Sequence, residues 1–279
     1  MPNEGSALGT RLSVLILLFT VTFSTHAADT FDHQQWDNLT STHVNTINHG
    51  VASQVNYQGF LAHRKQLKQY LAQLEGISKK TFDSWNNNDQ LAFLLNAYNA
   101  WTVELILSKY PHIKSIKDLG SFFQSPWKKS FIPLLGKERS LDDIEHSLIR
   151  GSDRYNEPRI HFAANCASVG CPALRAEAFT GDKLESQLED STRSFLKDRS
   201  RNRLNNNDLE VSSIFKWYRD DFEKNWRGKK NLAQFLASYN DAIGLNQQQA
   251  QQLTQGDIDI EFLDYDWHLN DTQQGITQP

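Results

Sequence analysis

Two cysteines, one histidine and one asparagine fall within the eleven residues His161-Phe-Ala-Ala-Asn165-Cys166-Ala-Ser-Val-Gly170-Cys171. A cysteine becomes a nucleophile when a base generates its thiolate and an amide or carboxylate orients that base. The residue types for this chemistry are present, with Cys166 as nucleophile and His161 as base. Spacing alone does not bring them together. His161 and Cys166 are five residues apart, on opposite faces of a strand and about 140° apart on a helix. A Cys166–His161 pair therefore requires the chain to turn near Asn165, and Gly170 and Pro172 mark a turn just beyond it. Three other uses compete. A Cys166–Cys171 disulfide could close through Gly170, a short loop contributing about 2 kcal/mol. A zinc site from His161, Cys166 and Cys171 lacks a fourth ligand and fits no common spacing. Buried, inert thiols are the third.

The elements that would position these groups are partly legible. Ser140, with Asp143 in capping-box position, opens a short helix through Arg150. At about 100° per residue, Glu145 falls about 40° from Leu141, within the apolar face formed with Ile144 and Leu148. A carboxylate aimed into a core is costly unless paired or hydrogen-bonded, and catalytic groups are often held this way. Glu145 is thus either a satisfied core residue or an orienting group, and His146 is read as a surface residue. The strongest helix runs from Leu91 to about Tyr110, capped by Asp89 and ended by Pro111. It is apolar nearly all round, so its Asn96 and Asn99 need partners: they tie down adjacent loops or, with Asn165, line a pocket near the cysteines. The aromatic run Phe215 to Phe222 is read as core packing rather than a ligand platform, and Tyr265-Asp266-Trp267 similarly, as a docking segment that closes the fold.

Elsewhere the pattern is helical from Asp29 to Leu74 and from Leu184 to Leu196. Hairpins are expected at Phe131–Lys137 and Arg203–Val211, a capped helix after Ser212 or Ser213, and a final helix over Leu232–Ile243. The sum is a predominantly helical α+β fold with a small antiparallel sheet. Arg11 followed by the apolar run Leu12–Phe23 and small residues to Ala27 reads as a signal peptide, too short to span a bilayer. The expected organisation is a signal peptide at 1–27, an N-terminal helical segment at 28–85 packed on the core, a main domain at 86–270, and a flexible tail at 271–279. Cleavage would remove Met1, the only methionine, and export the chain to the periplasm or beyond, where a cysteine pair can stay bonded. No integral membrane span is expected after cleavage.

With 29 basic against 33 acidic residues, the 279-residue chain lacks the basic footprint of a nucleic-acid binder. Its 16 Phe, 8 Tyr and 7 Trp exclude disorder as the main state. No phosphate loop, dinucleotide fingerprint, metalloprotease helix or Gly-x-Ser-x-Gly elbow occurs, so no cofactor and no metal are expected.

Five ordered blocks resemble the "domain of unknown function 547" family. They are Phe93-Leu-Leu-Asn96-Ala-Tyr98-Asn99-Ala100, Ser140-Leu-Asp-Asp-Ile-Glu145-His146, Arg159-Ile-His161-Phe-Ala163, Cys166-Ala-Ser-Val-Gly-Cys171-Pro172 and Ser213-Ile-Phe-Lys-Trp217-Tyr218. The resemblance runs from about Phe93 to Phe222. It implies little about activity, but the family's first cysteine is the more constant, which favours Cys166 for function. Gly170 stands where a serine often precedes the second cysteine. Some members are distantly similar to papain-like and transglutaminase-like thiol enzymes. The leading expectation is an exported thiol hydrolase or acyl transferase acting on amide or thioester bonds of peptides or small envelope-derived substrates. The catalytic candidates are Cys166, His161 and Glu145. The alternative is a non-enzymatic envelope binding or assembly module stapled by Cys166–Cys171, and a third is redox chemistry on the pair. Oligomeric state is not legible.

Overall fold

The computed structural model describes Met1 and residues 30–121, 123–152 and 154–273. The expected signal peptide, beyond Met1, lies outside these residues, as does 274–279. The fold is α+β and predominantly helical, and no described helix is long and apolar enough to cross a membrane.

Helices α1 (Gln34–His43), α2 (Tyr57–Ala62), α3 (Arg64–Glu75) and α4 (Lys79–Asp83) wrap the long helix α5 (Asn87–Leu107). Between α1 and α2 lies a hairpin not expected from sequence, β1 (Val44–Ile47) against β2 (Ala52–Val55). Its turn places Asn48, His49 and Gly50 at positive φ, a conformation that Asn and Gly adopt at little cost. The cap of α5 is Asn86, whose side chain accepts from the Asn88 and Asp89 amides, rather than Asp89 itself, which sits in the first turn. Phe93, Leu94, Leu95, Ala97 and Ile106 on α5 are buried on every side. They join Trp36, Phe60, Tyr70 and Leu74 in a first hydrophobic core, so the described part of the N-terminal segment, 30–85, shares this core with the chain that follows.

The hairpin β3 (Ile132–Leu134) and β4 (Lys137–Arg139) leads into a wide π-helix over Asp143–Arg150, entered through the reciprocal Ser140–Asp143 bonds. Such helices are rare and concentrate at functional sites. A second core gathers Phe162, Phe195, Phe215, Phe222 and Phe235. Around it stand α6 (Leu184–Lys197), a three-stranded sheet, and the short helices α7 (Ile214–Trp217), α8 (Arg219–Phe222), α9 (Leu232–Ala237) and α10 (Asn240–Ile243). In that sheet β6 (Asp208–Ser212) pairs antiparallel with β5 (Asn202–Asn205) and parallel with β7 (Asp259–Leu263). The helix α11 (Gln247–Gln255), opened by an Asn246–Gln249 capping box, and β7 had no place in the sequence reading. The single helix expected over Leu232–Ile243 is broken at Tyr239.

After β7 the chain forms an extended strap. Val169 N–H donates to His268 O (2.8 Å), Asn270 N–H to Ala167 O (3.1 Å) and Leu269 N–H to Lys114 O (2.7 Å). Asp271 is buried and Thr272 N–H bonds Val55 O, so the expected tail at 271–279 is anchored at its first residues.

Candidate active site around the cysteine pair

The short helical turn Pro158–Phe162 carries the base candidate into the structure. Fully buried Arg159 locks that turn, its guanidinium held by Glu157 and Glu185 at 2.7 Å each. The turn demanded by the His161–Cys166 spacing then occurs: Ala167 has φ of +63°, and Asn165 Oδ1 accepts the Ala167 N–H at 2.9 Å. Its Nδ2 donates to Pro172 O at 2.7 Å, closing the cysteine loop from inside.

Asn96, Asn99 and Asn165 do not line the cavity beside the cysteines, contrary to one of the two roles expected for them. Their amides are consumed by backbone. Asn96 accepts from Phe179 N–H and donates to Phe179 O, and Asn99 does the same for Asn165 N–H and Ala163 O. These bonds fasten the cysteine loop and its neighbour to α5.

Cys166 and Cys171 are joined as a disulfide, and the Cys166 N–H points at Cys171 Sγ (2.9 Å). The strap lays the Tyr265 hydroxyl 3.1 Å from Cys166 Sγ and 3.2 Å from Cys171 Sγ. Gly170 permits this approach, since a Cβ there would meet the Tyr265 ring at 2.9 Å.

Cys166, His161 and Glu145 all line one cavity of about 220 Å³. His161 is buried, with its ring stacked on Tyr218 at 3.8 Å between centroids. Its Nε2 lies 2.8 Å from Asp221 Oδ2, and its Nδ1 lies 3.9 Å from Glu145 Oε1. No hydrogen bond joins His161 to Cys166; the polar neighbour of Cys166 Sγ nearest in kind is the Tyr265 hydroxyl. Burial pushes the His161 imidazole below its usual range, against the lifting effect of Asp221 and Glu145. A neutral ring beside a carboxylate acceptor carries its proton on Nε2 and donates it to Asp221, which leaves Nδ1 as a bare base. Burial alone would raise the Asp221 carboxyl. Hydrogen bonds from His161, Arg150 and Lys224 outweigh that and hold it well below the usual carboxylate range.

Glu145 is 6% exposed, as its place on the apolar face predicts, with Tyr98 and Tyr218 beside it. Burial raises both phenols, and the Glu145 charge raises them further, so they stay protonated donors. Burial likewise raises Asp142, one turn away. His146 is exposed at the cavity rim, where its Nδ1 meets Arg150 Nη1 at 2.6 Å.

The family model described as "Protein of unknown function, DUF547" matches residues 82–196. The middle of the chain is thus similar to the DUF547 family over those residues. No curated protein and no solved structure matches the chain. The DUF547 region supplies Glu145, His161 and both cysteines. It stops short of Tyr218, Asp221 and Tyr265, so three groups that complete the site come from beyond it. The Ser213–Tyr218 block of the sequence resemblance also lies outside the matched range.

Sequence reasoning missed Asp221, the partner of His161. It lies in the Phe215–Phe222 run, whose aromatic pattern points to core packing. Phe215 and Phe222 are core, but Trp217 and Tyr218 line the cavity, as do Tyr265 and Trp267 of the strap. The available signal was the acidic pair Asp220-Asp221 embedded in an aromatic helix: a carboxylate drawn in beside Phe222 needs a polar partner.

Proposed function

We propose that the protein is an exported thiol-dependent hydrolase or acyl transferase acting on amide or thioester bonds of peptides or envelope-derived material. It becomes active once the cysteine pair is reduced. What carries this reading is the lining of one cavity by Cys166 together with a His161 ring whose far nitrogen is held by Asp221. Reduction of the disulfide by an external dithiol yields two thiols. His161 Nδ1 takes the Cys166 proton, and the thiolate attacks the substrate carbonyl, forming a carbon–sulfur bond. The tetrahedral species collapses as the amine or thiol leaves with the proton from His161. Water or an acyl acceptor then loses a proton to His161, attacks the thioester and releases Cys166. Asp221 is the orienting group in this scheme, in place of Glu145 or an asparagine.

The test is electrophile labelling followed by peptide mapping. Reduced protein takes an active-site-directed acyl electrophile at Cys166 in preference to Cys171, and His161→Ala slows labelling by about 10²-fold. Equal labelling of both thiols, with no effect of His161→Ala, defeats the reading. One observation favours the non-enzymatic module instead: the disulfide is formed, and the Cys166 amide points at Cys171 Sγ. That reading expects full function from a Cys166→Ser, Cys171→Ser double variant.

A further inference from the structure

The cavity beside Cys166 has an unusual wall. Trp127, Trp217 and Trp267 form one side, with Trp217 stacked on Trp267 at 5.6 Å and Trp127 edge-on to Trp267 at 5.7 Å. Asp142 and Glu145 stand among the other lining residues, and no lysine or arginine lines the cavity. Among the described residues neither carboxylate forms an ion pair with a lysine or arginine: Glu145 is bonded by the Tyr98 and Tyr218 phenols and lies 3.9 Å from the His161 ring, and Asp142 lies 3.8 Å from the His146 ring. Lys128 acts on Asp142 and Arg150 on Glu145 through space only, without contact. Arg150 is bound to Asp221 and His146, and Lys117 rests on the Trp267 ring, its Nζ 3.7 Å from the centroid. The last contact is informative, since it shows the indole cluster already accepting an ammonium group on one face. Trp217 is 46% exposed and leaves its surface free at the cavity mouth.

Aromatic faces attract cations, and most strongly where water is excluded. A buried carboxylate with no ammonium or guanidinium in contact is stabilised by a cation that enters beside it. We propose that this cavity binds a primary alkylammonium group, of the kind carried by a lysine side chain or a peptide N-terminus, on the molecule that reacts at Cys166. Trp217 would cover the methylene chain and Asp142 and Glu145 would receive the charge. The proposal rests on the thiol reading for the reacting partner, but binding itself needs no thiol.

The experiment therefore uses the disulfide-intact protein and follows its tryptophan fluorescence. Nα-acetyl-lysine amide is titrated against its neutral counterpart, Nα-acetyl-norleucine amide. The lysine amide binds about tenfold more tightly, and the preference falls to about threefold or less in Asp142→Asn and in Glu145→Gln. Asp142 is half-buried, so its variant keeps the test informative if Glu145→Gln fails to fold. Equal affinity for the two amides, no binding of either, or a preference that survives Asp142→Asn overturns the proposal. A lysine preference without Cys166 labelling in the reduced protein removes the thiol chemistry and leaves the ammonium site. Labelling without the preference does the reverse.

Discussion

Asp221→Asn separates the geometry of the site from its charge. The amide is the same size as the carboxylate, so the aromatic surroundings need not repack. The carboxylate receives three charge-linked contacts, from His161 Nε2 (2.8 Å), Arg150 Nε (2.5 Å) and Lys224 Nζ (2.8 Å), and its side chain is 9% exposed. Hydrogen bonds to charged groups contribute about 1.5–3 kcal/mol each when buried. Lys224 is 53% exposed and Arg150 23%, so solvent discounts both. The neutral amide also keeps part of each bond. The expected loss is about 2 kcal/mol at pH 7, read as a lower midpoint in urea at unchanged slope. The sign with pH follows from the depressed carboxyl. Its contribution is present above the unfolded value near pH 3.9 and is lost as pH falls through the folded value, so variant and parent converge in acid. The amide can also turn its NH₂ toward Nε2, which forces the imidazole proton onto Nδ1 and blocks the base. Labelling of reduced Cys166 should therefore slow by about 10²-fold while its site is unchanged. A variant as stable as the parent, or one that labels at full rate, would refute this account of Asp221.

Three further outcomes are expected. Reducing the Cys166–Cys171 bond, or replacing both residues with serine, lowers stability by about 2 kcal/mol through loop entropy, measured by urea unfolding with and without reductant. In Gly170→Ala the new methyl meets the Tyr265 ring at 2.9 Å and Asp266 O at 3.0 Å. This loosens the strap at a cost of about 1–3 kcal/mol and brings earlier proteolysis near 265–270. Burial holds the His33 imidazole down at about 3, with its Nδ1 on the Tyr70 hydroxyl. The unfolded chain takes up that proton below about pH 6.5, so stability present above that value drains away on acidification, by about 2 kcal/mol from pH 7 to 5. His33→Gln, which can still bond Tyr70, should abolish this part of the slope in pH-dependent melts.

Much of the fold was legible where local signals agree. The apolar run of α5, the Ser140–Asp143 box, both expected hairpins and α6 each carry period, cap or turn residues that point one way. The inward carboxylate Glu145 could be placed because a single helix face decides it, even though the helix proved wider than an α-helix. What stayed hidden depends on contacts across long separations. Asp221 meets His161 from 60 residues away, and Tyr265 meets Cys166 from 99. Neither pairing leaves a mark on spacing. The β1–β2 hairpin was masked by polar residues of helical propensity on either side, and β7 by having its partner β6 far upstream. Asn96 and Asn99 must find partners wherever they point, and only the distant backbone at Phe179, for the first, and at Ala163 and Asn165, for the second, decides which role each takes.

The histidine and its carboxylate belong to different halves of the interior. Ile160 and Ala163 flank His161 in the first core, Phe162 reaches into the second, and Asp221 stands on α8 beside Phe222 of the second. The site is thus a joint rather than a possession of either half. A fragment cut to the DUF547 boundaries would keep both cysteines and the imidazole, yet it would lack the carboxylate for Nε2, the stacking phenol and the hydroxyl over the sulfurs. Transplanting that segment into another scaffold would move the nucleophile without its chemistry. Substitutions at the seam near Phe162 and Phe222 would report on how the two halves are aligned well before either one unfolds.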